Sequence, residues 1–155
     1  MTATAPVAIV TGGSGGLAPA LAGALASTGH RIVLTARRIA ALQQVAGRMS
    51  APAGAEPVAI ASDATDAGSV RALAEEVLGR FGRIDILVNA AASSTPIGGA
   101  IEAVDIDALM RDVDTKVGGY LRYVQAVVPS MKAATFGRIV NIGGLTGRSS
   151  DTLSG

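Results

Sequence analysis

The sequence predicts an α/β fold built on a doubly wound parallel sheet, and three observations carry that prediction. Short apolar runs alternate with amphipathic helical stretches. The first run, Val7 to Thr11, drops into a glycine-rich turn at 12–16, and all five runs end in small, polar or turn-forming residues. Strands that alternate with helices pair in parallel through right-handed crossovers, and such sheets bind ligands beyond the carboxyl ends of their strands.

Each element follows from local pattern. Residues 6–11 read as the first strand, because a Val- and Ile-bearing apolar run suits a buried parallel strand. Residues 17–28 read as a helix, with Leu17, Leu21, Ala24 and Leu25 at helical spacing, Pro19 in its first turn and Gly29 as its stop. A second strand spans 31–35, and a helix around 38–50 ends before the Ala-Pro-Ala-Gly turn at 51–54. The third strand is 58–61, and Asp66 reads as the N-cap of a helix running to Arg80. Gly82 and Arg83 lead into a fourth strand at 84–88, and residues 93–100 form a loop rich in Ser, Thr, Pro and Gly. Helices are predicted near 102–113 and 115–134, and Arg138 to Ile142 form the fifth strand. No repeat, linker or low-complexity tract interrupts the order.

Composition sets the bounds. A chain of 155 residues is one domain with room for a real core, and at 49% apolar but 3% aromatic that core is aliphatic and alanine-rich. A net charge of +1, without Lys and Arg interleaved with aromatics, gives nucleic-acid binding no support. There is no cysteine, hence no disulfide framework or thiolate metal site, and the single histidine, His30, falls between a helix and a strand as a solvated turn residue. No apolar run is long enough to span a bilayer and no basic leader precedes one. The expectation is a soluble cytoplasmic protein with neither nucleic-acid nor membrane partners.

In the glycine loop, Gly12 and Gly16 stand four apart with Ser14 between them. Two readings are open: a cradle in which backbone N–H groups and a helix dipole hold a phosphate, or an ordinary tight strand-to-helix turn. The other strand ends decide between them. They are Thr35-Ala36-Arg37-Arg38, Ser62-Asp63-Ala64, Asn89-Ala90-Ala91-Ala92 and Gly143-Gly144.

On these residues the chain resembles the short-chain dehydrogenase/reductase family. Thr11 to Leu17 matches its T-G-x-x-x-G-[IL] loop, Asp63 the acid after the third strand, and Asn89 to Ala92 its N-N-A-G segment. Pro129-Ser130-Met131 matches the P-x-M of the long helix, and Gly137 to Ile142 the strand before the catalytic serine. The resemblance implies a single NAD(P)-binding Rossmann-type domain over 1–155. In it Gly12, Ser14, Gly16 and Leu17 would line the pyrophosphate and nearby ribose, and Asp63 and Ala64 would meet the adenine. Asn89 and Ala90 would hold the fourth strand end beside the cofactor. Ala18 replaces a third glycine, where a methyl group bears on helix packing more than on phosphate contact. The resemblance further implies a small-molecule alcohol or carbonyl substrate and a homo-oligomer, with residues 115–134 contributing to subunit contacts.

The second strand end points to NADP rather than NAD. An NAD site carries an Asp or Glu about 20 residues after the glycine loop, to bind the ribose 2′-hydroxyl. Here Thr35 and Ala36 precede Arg37 and Arg38, whose guanidinium forks suit a 2′-phosphate. The alternative is two solvated arginines opening a helix.

The catalytic pattern departs from the family. Its members use a tyrosine as general acid/base, a lysine that lowers the tyrosine pKa, a serine that polarises the carbonyl and a helix asparagine that orders the relay. Lys116 stands at the asparagine position and Gly144 at the serine position, and Gly155 precedes any Tyr-x-x-x-Lys. Lys116 either places an ammonium near the relay or snorkels to solvent. Thr146, Ser149 and Ser150 either supply a displaced hydroxyl or build a loop, and Tyr120 and Tyr123 read as packing residues. The sheet is then incomplete at its C-terminal end, leaving Ile139, Val140 and Ile142 on an open edge. The chain reads as the N-terminal portion of an NADP(H)-dependent oxidoreductase, inactive alone. A non-catalytic NAD(P)-binding or regulatory protein of the same fold is the alternative.

Overall fold

The computed structural model describes residues 5–50, 55–92 and 100–143. Five parallel strands, β1 (Val7–Thr11), β2 (Arg31–Ala36), β3 (Val58–Ala61), β4 (Ile86–Asn89) and β5 (Arg138–Asn141), form one sheet in the order β3-β2-β1-β4-β5. Helices α1 (Ala18–Ser27), α2 (Ile39–Arg48), α3 (Ala67–Phe81), α4 (Ile106–Val113) and α5 (Gly119–Ala133) complete the alternation. The strand order reverses between β1 and β4, so the crevice past their carboxyl ends is the switch point of the sheet.

Strand periodicity builds two cores. Val7 and Ile9 of β1 face one side, joining Leu87, Val33 and the α3 and α5 faces that carry Val70, Leu73, Val77, Tyr123 and Val127. Ala8 and Val10 face the other, with Ile32, Leu34, Ala18, Ala22 and Leu42 under α1 and α2. Every residue of β1 is buried, as a central strand covered on both faces requires. In α3 the buried residues Val70, Leu73, Ala74 and Val77 recur at i, i+3, i+4 and i+7, and each large one stabilises the fold by about 1.5–3 kcal/mol. The helix starts at Asp66, whose carboxylate accepts from the N–H groups of Gly68 and Ser69 at 2.7 and 3.3 Å. It stops at Gly82, which has a φ of +73° and donates to Leu78 O at 2.8 Å.

Several expectations shift. Helix α1 begins one residue after Leu17, which is 59% exposed, and Ala24 faces solvent; the inward stripe is Ala18 and Ala22 with Leu21 and Leu25 partly buried. The fourth strand starts at Ile86 and includes Asn89, not 84–88. Ahead of it the Asp85 carboxylate accepts from Val7 N at 2.8 Å and pairs with Arg83, tying this segment to the start of β1 through a side chain. The helix expected near 102–113 is a 3-10 turn at Ile101–Ala103 followed by α4, because the Asp105 side chain caps a new start by accepting from Ala108 N at 3.1 Å. The expected break before 115 is absent: a π-helical turn at Asp114–Gly118 carries α4 straight into α5. The turn at 51–54 and most of the 93–100 loop lie outside the described residues.

Strand β5 is exposed along all four residues, Ile139 by 38% and Val140 by 45%, so among the described residues the sheet is unclosed at this edge. Ile142, just beyond it, packs against the α1/α2 core.

Candidate functional site

A cleft of about 790 Å³ runs across the carboxyl ends of β3, β2, β1 and β4. At its centre β1 ends in Thr11 and Gly12. Gly12 has a φ of +66°, and a methyl there would stand 2.6 Å from the Ala90 carbonyl oxygen. Only glycine lets the two strand ends meet this closely. Thr11 completes the junction from behind: its hydroxyl oxygen accepts from Ala90 N at 3.0 Å and Ala91 N at 3.1 Å.

The loop then turns tightly, with Gly15 N donating to Gly12 O at 2.8 Å and Gly13 N to Thr35 O at 2.9 Å. Gly16 differs from Gly12. A Cβ on it meets no atom within 4 Å, so the packing of the chain does not demand glycine there. Ser14, Gly16, Leu17 and Ala18 line the cleft; of these Ala18 is 1% exposed and also belongs to the core under α1. No side chain caps α1 at Leu17; Ala18 N donates to Gly15 O at 3.2 Å and Pro19 carries no N–H, so the positive dipole end of the helix meets the loop without a side-chain acceptor. The open Gly16 position and the uncapped helix fit a pyrophosphate.

Toward the outer strands, Thr35 is fully buried, and Ala36, Arg37 and Arg38 line the wall. Both arginines are exposed, and the segment from Thr35 to Arg38 itself carries no acidic residue. At the β3 end the Asp63 carboxylate accepts from Thr65 N at 2.9 Å and from the Thr65 hydroxyl at 2.8 Å. The Thr65 N–H chiefly holds this carboxyl below its usual range; partial burial opposes, and the Thr65 hydroxyl, Arg37 and Arg122 reinforce. Ala64 and Thr65 continue the wall.

The long helix supports this wall. The Tyr123 hydroxyl, 2% of whose residue surface is exposed, lies 2.8 Å from the Ser62 hydroxyl, and burial pushes the phenol pKa up. Arg122 donates to Ala64 O at 3.0 Å and to the Asp114 carboxylate at 2.7 Å. A methyl at Gly119 would meet Ala64 Cβ at 2.8 Å, so the glycine lets α5 approach the strand end.

Of the nine predicted cofactor residues, Gly12, Ser14, Gly16, Leu17, Arg37, Asp63, Ala64 and Ala90 line the cleft, and Asn89 does not. Asn89 is fully buried behind the wall, its Nδ2 donating to Asn141 Oδ1 at 2.9 Å and tying β4 to β5. Lys116 is also absent from the lining. Its ammonium sits 2.9 Å from the carboxylate of Asp112, which is 6% exposed, so it neither reaches freely into solvent nor faces the cleft. Gly144, Thr146, Ser149 and Ser150 lie outside the described residues.

Sequence reasoning missed the supporting roles of Thr11, Thr35, Arg122 and the two tyrosine hydroxyls. Helical spacing of Tyr123 with Val127 and Met131 marks it as a packing residue; nothing local reveals a partner 61 residues away.

The short chain dehydrogenase family model matches residues 6–153. The chain belongs to the short chain dehydrogenase family. Its fold is accordingly a Rossmann-type parallel sheet flanked by helices, and the coarse activity of the family is that of an NAD(P)-dependent oxidoreductase. Among similar members, an uncharacterized oxidoreductase of Staphylococcus saprophyticus is 36% identical over 91% of this chain and 59% of its own length. The (2S)-[(R)-hydroxy(phenyl)methyl]succinyl-CoA dehydrogenase subunit BbsC of Thauera aromatica is 34% identical over 90% of this chain and 54% of its own length. A metagenomic short-chain oxidoreductase solved in complex with NADP superimposes with a TM-score of 0.81 at 35% identity, covering 92% of this chain and 63% of that one. The chain thus spans between 54% and 63% of the length of these three proteins.

Proposed function

We propose that this chain is the dinucleotide-holding part of an NADP(H)-dependent oxidoreductase that works on a small alcohol or carbonyl compound. The observation that carries the reading is the pairing of an uncapped glycine-loop helix with Arg37 and Arg38 in one cleft, with no acidic residue at the β2 end. The α1 N-terminus, Ser14 and Gly16 hold the pyrophosphate, and Arg37, assisted by Arg38, holds the 2′-phosphate through charge-assisted hydrogen bonds. Asp63 and Ala64 border the adenine, and Leu17 and Ala90 flank the path toward the nicotinamide. The bound nicotinamide supplies or takes up a hydride; this chain's residues orient it and exclude water around it.

No membrane-spanning helix occurs among the described residues, and the reading places the protein in the cytoplasm. Ile106, Met110, Val113, Val117 and Leu121 are all exposed at helical spacing along α4, the π turn and α5, which supports a homo-oligomer through this face.

A second reading, a non-catalytic NAD(P)-binding protein, is favoured by one observation: Lys116, at the relay position, is engaged by Asp112 instead of facing the cleft. Titration with NADPH and NADH tests the first. NADPH should bind more tightly, and Arg37→Ala should cut that preference about 10- to 100-fold. Equal affinities, or a preference untouched by R37A, overturn the cofactor assignment. Turnover across a carbonyl panel by the full-length protein separates the enzyme from the binder.

A further inference from the structure

The end of the cleft nearest β5 is held by a residue that no cofactor motif contains. Tyr120, half-buried on α5, places its hydroxyl 3.1 Å from the carbonyl oxygen of Ala91 and 3.2 Å from that of Ile142. These carbonyls lie just past the last residues of β4 and β5, where the ladder has ended. A phenol has one proton, so it donates to one carbonyl at a time and is shared between the two. Burial, with the Asp112 carboxylate adding to it, raises the Tyr120 pKa, and the hydroxyl keeps its proton. The Tyr120 carbonyl in turn accepts from Asn89 Nδ2 at 3.5 Å, beside the Asn89–Asn141 bond. One side chain of the long helix therefore spans two strand ends, one of which, at Ala91, lines the cleft.

The strand order says which part of a dinucleotide this bears on. With the 2′-phosphate and adenine over β2 and β3 and the pyrophosphate over β1, the remaining half lies over β4 and β5. We propose that Tyr120 is a positioning residue for the nicotinamide half: its hydroxyl sets the separation of the β4 and β5 ends and so shapes the wall at Ala91. This rests on the dinucleotide reading above.

Two probes divide the site, NADPH and adenosine 2′,5′-bisphosphate, which carries only the adenine half. Calorimetric titration of this chain and of Tyr120→Phe with both reads the inference without any turnover. Tyr120→Phe should weaken NADPH about three- to tenfold, the range of one lost hydrogen bond, and leave the bisphosphate unchanged. Retained bisphosphate binding also shows that the variant is folded. Tyr123→Phe, which removes the hydroxyl on Ser62 at the adenine end, should weaken both probes together. Equal weakening of both probes by Y120F, or no change in either, overturns the inference and leaves the cofactor reading standing. Unsubstituted chain that binds the bisphosphate but gains nothing from the rest of NADPH also overturns it. Unsubstituted chain that binds neither probe overturns the cofactor reading and the inference with it.

Discussion

Gly12 and Ala90 meet so closely that a methyl on the glycine would stand 2.6 Å from the alanine carbonyl oxygen. The contact joins the glycine loop to the end of β4, and Gly12 also holds a φ of +66° that side chains disfavour. Gly12→Ala therefore meets both a clash and backbone strain. It should lower stability by about 2–4 kcal/mol, read as a drop in denaturation midpoint, and loosen the cleft so that NADPH binding falls with it.

Gly16 lies four residues on and should behave in the opposite way. A Cβ there meets nothing of the chain, so Gly16→Val should shift stability by no more than about 1 kcal/mol while reducing dinucleotide affinity at least tenfold. Unchanged affinity in a folded G16V would remove the phosphate cradle from this loop.

Asp85 ties the start of β1 to the segment before β4. Its burial works against ionisation, but the Arg83 guanidinium and the Val7 N–H outweigh it and hold the carboxyl below its usual range. A depressed folded-state pKa adds stability above the unfolded value, about 4, and that stability drains away as pH falls through the folded value. Melting temperature should thus decline on acidification below about pH 4, and Asp85→Asn should both lower the plateau at neutral pH and flatten that decline. A variant with the same acid limb as the parent would place the sensitivity elsewhere.

Lys116 and Asp112 form a pair in which the carboxylate is almost buried and the ammonium partly exposed. Lys116→Met strands the carboxylate and should cost about 1–3 kcal/mol, less than a fully buried pair would lose. The double variant with Asp112→Leu should recover most of it, since two apolar residues leave no charge unpaired. Failure of the second change to compensate, in a double-mutant cycle, would show that the two act separately.

Much of this architecture was legible along the chain. Alternating apolar runs and helical stripes place every strand within two residues, and the Asp66 cap and Gly82 stop of α3 follow from side-chain chemistry alone. The rod from Ile106 to Ala133 was not. A π turn keeps it continuous through Asp114–Gly118, and Gly119 serves a contact with Ala64 that no local pattern encodes. The same holds for the start of β4, where Asp85 bonds the backbone of Val7 across 78 residues.

What the sequence by itself determined is the sheet, its parallel sense, and a cleft at the carboxyl ends bearing a glycine loop, two arginines and Asp63. These are set by period, turn chemistry and the handedness of crossovers, all of which act over a few residues or one βαβ unit. Only the tertiary structure decided that Asn89 stands behind the wall with Asn141, that Lys116 is spoken for by Asp112, and that Tyr120 and Tyr123 use their hydroxyls at opposite ends of the cleft. The physical reason is that a half-buried polar group must find its partner in whatever the fold brings near. The partner of Tyr123, on α5, is Ser62 just past the end of β3, and only packing brings the two into reach.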